Sequence, residues 1–186
     1  GQTDVMRGEE TQIWGAQLPP SSICVLPGTH SKWIWLDAAG DFQNFKTFMT
    51  GELYSLLTQH SILGRLMDLS PSHAALNLDV FLRGVALGVD GHAELMHSLF
   101  AARTAGLMGQ LNAVELPDFL SGILIGAEIT SASKKQVKQV HVLGEGDLCA
   151  RYAHAFQHQG ISVIKVGDDA TTKGQWLLAS ASGLIT

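Results

Sequence analysis

Two adjacent carboxylates, Glu9 and Glu10, follow Arg7-Gly8 near the start of the sequence, and the stretch Leu26-Pro27-Gly28-Thr29-His30-Ser31-Lys32-Trp33 ends an apolar run abruptly. Moving a phosphoryl group onto a hydroxyl takes a base for the hydroxyl proton, cations that offset phosphate charge, and donors around the transferred group. These two segments hold all three residue types. Gly28 lets backbone N–H groups come close to a ligand and reach conformations closed to other residues, Thr29 and Ser31 add hydroxyls, and Lys32 adds an ammonium. A third segment, Gly144-Glu145-Gly146, follows a short apolar run and opens a helical pattern, where a nucleotide can approach bare N–H groups. Each has a plainer reading. A Gly-Thr turn reverses a chain, acids favour the positive end of a helix by about 0.3–1 kcal/mol each, and Gly-Glu-Gly makes a tight strand-to-helix turn. The last also lacks the spacing of a dinucleotide fingerprint, which argues against NAD.

The elements that must position these groups follow from periodicity. Residues 11–16 read as a short helix, broken by Leu18-Pro19-Pro20-Ser21. Three strands follow at 23–26, 33–36 and 44–50, the last two joined by Ala38-Ala39-Gly40-Asp41, and they predict an antiparallel meander. Beyond Gly51 the period becomes helical, with Leu53, Leu56, Leu57 and His60 on one face. Leu69-Ser70-Pro71-Ser72 breaks that pattern, and a helical region over 79–109 is interrupted by Gly84, Gly88, Gly91 and Gly106. The clearest helix starts at Pro117, with Leu116, Phe119, Leu120, Ile123, Leu124 and Ala127 in one stripe. A strand at 140–143, a helix at 147–158 with Leu148, Tyr152, Ala155 and Phe156 inward, and a strand at 161–166 complete the order. Alternating helices and strands favour parallel pairing, so the expected fold is α/β with a mixed sheet: antiparallel first, parallel later.

Five motifs in register carry a family resemblance: VMRGEETQ from Val5, LPGTHSKW from Leu26, MTGEL from Met49, FLSGILIGAE from Phe119 and VLGEGDLCARY from Val142. Together they resemble the 2-dehydro-3-deoxygalactonokinases, sugar-acid kinases of the actin-like ATPase superfamily, from Asp4 to about Ala170. The resemblance implies an actin-like, ribonuclease H-like lobe with helices on both faces of its sheet. It further implies ATP and Mg²⁺ as cofactors and phosphorylation of 2-dehydro-3-deoxy-D-galactonate on its terminal hydroxyl. Related kinases carry Gly-Asp at the corresponding helix start, so Glu9 is the expected base and Glu10 the alternative. Arg7 either balances these acids or meets the substrate carboxylate. Gly28 and Thr29 match the position that contacts the β- and γ-phosphates, with His30 and Lys32 beside them. His30 is alternatively a packed turn residue, and Lys32 a strand residue pointing to solvent. Gly144, Glu145 and Gly146 are implied to lie against adenosine. Thr50, Gly51 and Glu52 would shape the substrate side of the cleft, unless Glu52 only marks a helix start.

Such kinases have two lobes, and the first opens with Asp-x-Gly-x-Thr/Ser, which this sequence lacks. The expectation is that residues 1–186 form the second, nucleotide-side lobe, inactive by itself because most sugar contacts belong to the other. Apolar surface left uncovered would favour homo-oligomers. The competing reading is a non-catalytic nucleotide- or sugar-binding regulatory module of the same superfold. The acid pair argues against it, since binding alone needs no base.

Composition agrees with an ordinary globular domain: 186 residues, 46% hydrophobic and 16% charged, enough for a large core. The net charge is -5, and Lys134, Lys135 and Lys138 form the one basic cluster, a solvated helix end rather than a nucleic-acid surface. Cys24 and Cys149 lack metal-type spacing, which favours a reducing, cytoplasmic setting while leaving one disulfide open. The apolar run at 119–127 is too short to span a bilayer, so no membrane is expected. His154 and His158 stand four apart on a helix but lack a His-Glu-x-x-His pattern or a third ligand, and read as an exposed face rather than a metal site. Trp14, Trp33, Trp35 and Trp176 are expected in the core or at an interface.

Overall fold

The computed structural model describes residues 3–70, 75–133, 137–167 and 169–184. Pro71, Ser72, Lys134 and Lys135 therefore lie outside the described residues. The chain divides into two units: Gly1–Phe48, Val137–Ala153 and Gly160–Thr186 form the first, and Met49–Gln136 with His154–Gln159 the second.

In the first unit, runs rich in β-branched and aromatic residues become strands between small-residue turns. β1 (Ile23–Leu26), β2 (Ser31–Leu36) and β3 (Phe42–Phe48) pair antiparallel, with Val25 opposite Trp33 and Trp33 opposite Lys46. β4 (Gln139–Leu143) runs parallel to β1, and β5 (Ser162–Val166) parallel to β4, giving the order β3-β2-β1-β4-β5. The expected mixed sheet is present. Its three parallel strands end at one edge, where Leu143 stands opposite Val166 and β1 stops at Leu26. β3 ends two residues earlier than expected, so Thr50 opens a helix instead of closing a strand.

α1 (Glu9–Ala16) starts two residues before the predicted helix. It packs against α7 (Ala170–Ala181), a helix that the sequence pattern did not reveal. The two approach backbone to backbone: a Cβ on Gly15 would collide with the Ala170 carbonyl, and one on Gly174 with that of Thr11. Small residues rather than an apolar stripe make this contact, which is why helical periodicity missed it. Ile13, Cys24, Leu26, Ile34, Leu36, Leu143 and Ala170 form the core beneath. Both cysteines are buried and free, and burial pushes the Cys24 thiol up to about 12. Trp33 is fully buried, as expected of a core tryptophan, but Trp14 and Trp176 are 47% and 61% exposed.

In the second unit, α2 (Thr50–His60), α3 (Leu78–Asp90), α4 (Leu95–Leu107) and α5 (Leu116–Ala132) are joined partly through 3₁₀ turns at Gly64–Leu66 and His92–Glu94. Gly84 and Gly88 do not interrupt α3. With Gly122 and Gly126 of α5 they let the two helices touch, a Cβ on Gly84 colliding with the Phe119 carbonyl and one on Gly122 with that of Phe81. Gly106 also lies within a helix, α4, and only Gly91 sits at a break. α5 carries Pro117 in its first turn as predicted, yet it is buried on nearly every side, Ser121, Ile125 and Glu128 included. The inward face of α2 is Leu53, Tyr54 and Leu57 with Thr58, whereas Leu56 is 44% exposed and His60 points outward. Among the described residues, no helix is long and apolar enough to cross a membrane.

Candidate functional site

The turn that opens α1 explains how two neighbouring acids come to differ. Gly8 takes a left-handed backbone, φ 106°, which lets the chain double back on the helix N-terminus. Glu9 Oε2 accepts the Arg7 N–H at 2.6 Å, and Glu10 Oε2 accepts the Gly8 N–H at 2.9 Å. Both acids thus engage N–H groups ahead of the helix in the manner of a capping box. Successive helical residues point about 100° apart, so they cannot share a direction. Glu9 lines a hollow of ≈ 600 Å³, whereas Glu10 does not.

That hollow lies at the C-terminal end of β1 and is lined by Val5, Arg7, Glu9, Gln12, Leu26, Pro27, Gly28, Thr29, His30 and Lys32. Six predicted site residues, Arg7, Glu9, Gly28, Thr29, His30 and Lys32, therefore converge on one cavity from segments separate in sequence. Gly28 departs from expectation. Its backbone is not in the left-handed region, and an added Cβ would meet nothing nearer than the His30 carbonyl at 4.0 Å. The glycine leaves open space beside the loop rather than serving a left-handed turn. Ser31 is fully buried, and its hydroxyl stands 3.1 Å from that of Tyr152, tying the base of the loop to the helix that follows β4.

Lys32 does not point to solvent, as an alternating strand would allow. It is 6% exposed, and its Nζ lies 3.6 Å from Glu9 Oε1. Burial alone would raise the Glu9 carboxyl, but the Arg7 and Glu9 N–H groups and the Lys32 ammonium outweigh it and hold Glu9 below the usual carboxylate range. Asp4, which the motif reading passed over, behaves alike. Desolvation is again outweighed, here by Thr47, the Val5 N–H and the charge of Lys32, and its Oδ2 accepts the Thr47 N–H at 2.7 Å. The signal available in the sequence was only its place at the head of the first motif.

A second hollow, ≈ 490 Å³, opens at the ends of β4 and β5, lined by Gly144, Glu145 and Gly146 together with Cys149, Lys165 and Gly167. α6 (Gly146–His158) begins here. Gly144 and Gly146 have φ of 119° and 80°, so this turn requires glycine for its backbone. Cys149 takes the buried place, Leu148 being half-buried, and desolvation raises the Cys149 thiol. Lys165 adds a cation that sequence reasoning had not singled out. Because β1 and β4 are hydrogen-bonded neighbours running parallel, both hollows stand at the carboxyl ends of strands, the edge where open α/β sheets bind ligands.

Thr50, Gly51 and Glu52 stand in the second unit, in the first turn of α2. Thr50 is buried there and its hydroxyl donates to Glu128, itself 3% exposed. A cavity of ≈ 780 Å³ in that unit contains none of the predicted site residues. Its cations, Arg65 and Arg103, lie with His60 near the C-terminal end of α2, where carbonyls favour positive charge, and Arg103 Nη1 donates to the Ile62 carbonyl at 3.3 Å. His154 is half-buried and His158 exposed, and among the described residues no three of His, Cys, Asp and Glu are grouped to hold a metal.

A family model described as 2-keto-3-deoxy-galactonokinase matches residues 1–178. The 2-dehydro-3-deoxygalactonokinase of Escherichia coli (strain K12) is 40% identical over 182 residues, covering 96% of this chain and 60% of that protein. A relative from Rhizobium meliloti (strain 1021), named for the same activity, is 36% identical over 182 residues, covering 91% of this chain and 56% of that protein. A crystal structure from Sinorhizobium meliloti, also named for it, superposes with a TM-score of 0.88 at 34% identity, over 98% of this chain and 62% of the other. The chain thus spans less than two thirds of each of these proteins.

Proposed function

The chain belongs to the 2-keto-3-deoxy-galactonokinase family, and on that premise we propose that it is the nucleotide-side, C-terminal lobe of a two-lobed, actin-like sugar-acid kinase. The complete enzyme transfers the γ-phosphoryl group of ATP to the terminal hydroxyl of 2-dehydro-3-deoxy-D-galactonate. The observation that carries this reading is the convergence of Glu9 with Gly28, Thr29 and His30 on one hollow beside the end of β1.

Bound ATP supplies the phosphoryl group and its leaving diphosphate. Glu9 accepts the proton as the sugar oxygen bonds to phosphorus and the bond to the β-bridging oxygen breaks. Thr29 and His30 donate hydrogen bonds to phosphate oxygens, and bare Gly28 admits them closely. Gly144 to Gly146 and the first turn of α6 lie against the adenosine side of the nucleotide. Arg7 meets the substrate carboxylate. Among the described residues the carboxylates do not form a metal cage, and Mg²⁺ would be held chiefly by the ATP phosphates.

The test is a coupled ADP-release assay on the full-length protein with 2-dehydro-3-deoxygalactonate and, as a comparison, its C4 epimer. Saturable turnover that disappears in Glu9→Gln supports the reading. Absence of turnover with either sugar acid, or full activity in Glu9→Gln, overturns it.

A further inference from the structure

Lys32 combines three properties that neither a solvent-facing strand residue nor a free phosphate ligand would show. Its side chain is 7% exposed, its neighbours Ser31 and Trp33 are fully buried, and its ammonium faces Glu9 Oε1 at 3.6 Å. A buried ammonium survives only where opposite charge compensates its lost hydration. Glu9 supplies that charge, and Asp4 feels the same cation. Glu9 is in turn held at both oxygens, Oε2 by the Arg7 N–H and Oε1 by Lys32.

We infer that Lys32 is a positioning residue: it keeps the Glu9 carboxylate ionised and aimed into the hollow, with its charge engaged by that carboxylate rather than by a nucleotide phosphate. The inference rests on Glu9 being the base. The groups facing Glu9 can be named from each side. Arg7 precedes it, Glu10 follows it on α1 but turns to the Gly8 N–H, Lys32 reaches it from β2, and His30 lines the same hollow from the turn before β2. Asp4 also feels the charge of Lys32 and is anchored to β3 by Thr47. Lys32 is accordingly the one side-chain cation paired with the Glu9 carboxylate among the described residues.

The distinguishing readouts are the pH profile and nucleotide affinity. In the full-length protein, Lys32→Met should displace the acid limb of kcat/KM to higher pH, so that its loss of activity relative to the unaltered enzyme deepens as pH falls from about 8 to about 5. Its Kd for ATP should stay within about twofold, and Lys32→Arg should restore the original limb. A ¹³C-carboxyl titration of Glu9 in the same protein should move upward in Lys32→Met, a readout independent of turnover. An unmoved limb and carboxyl, or a rise in the ATP Kd of about tenfold or more with no change in profile, overturns the inference and makes Lys32 a phosphate ligand. If Glu9→Gln is itself fully active, the underlying assignment of the base fails instead, whatever Lys32→Met does.

Discussion

Two loops leave neighbouring parallel strands at the same edge of the sheet, and both contain glycine for different reasons. After β4, Gly144 and Gly146 have positive φ, and the turn into α6 cannot form with an ordinary side chain. After β1, Gly28 has ordinary backbone angles and open space where a Cβ would be. One loop needs glycine for its backbone; at the other, glycine leaves open space. They differ also in charge. The β1 loop faces a carboxylate held down in pKa by N–H groups and a buried lysine, whereas the β4 loop offers helix N–H groups and an exposed lysine. The proposed function puts chemistry at the first loop and binding at the second, and the contrast can be broken at several points.

The largest effect should come from Glu9→Gln, which removes the proposed base beside the β1 loop. In the full-length enzyme kcat should fall by about 10²–10⁴-fold with ATP affinity nearly unchanged. A comparable fall in Glu10→Gln alone would reverse the assignment made from the cavity. Next in size, Gly144→Val should cost about 1–3 kcal/mol of folding stability, because a β-branched residue resists φ of 119°. Chemical denaturation would measure it, and a neutral result would deny that this turn depends on glycine. Gly28→Val should do the reverse: stability within about 0.5 kcal/mol, but ATP bound roughly tenfold more weakly by calorimetry. If it instead unfolds the protein and leaves ATP affinity intact, the two loops are alike after all.

The smallest effect concerns acid. Glu9 and Asp4 both titrate lower in the folded chain than in an unfolded one, so the folded state binds fewer protons. Their contribution is complete above the unfolded carboxyl range near pH 4 and is lost as pH falls through their lowered folded values. Denaturation midpoints followed downward from about pH 6 should therefore decline at the acid end. Glu9→Gln should flatten that decline, and an identical decline in the variant would remove the Glu9–Lys32 pair as its source.

Much of the fold was legible because it rests on local pattern. Ile23–Leu26 is a short apolar run between turns and forms the predicted strand, and Pro117 marks the start of α5. The Gly-Glu-Gly turn sits between strand and helix as read. What escaped was structure made by small residues. α7 packs through Ala170 and Gly174, and α3 meets α5 through glycines that looked like breaks, since close approach of two helices leaves no apolar stripe to detect. The outward turn of Leu56 escaped for a related reason: hydrophobicity states that a residue can be buried, not which face receives a neighbour.

By itself, the sequence determined the kinds of element, their order, and the motifs whose residue types suit phosphoryl transfer, because these depend on neighbours a few positions away. Only the tertiary structure decided that Glu9 rather than Glu10 faces the hollow, that Gly28 is open rather than strained, and that Lys32 is buried against a carboxylate. Each of these turns on where an α1 residue meets the end of β1 and the start of β2. Helix rotation and sheet register set that meeting, and no local pattern encodes the contact between them.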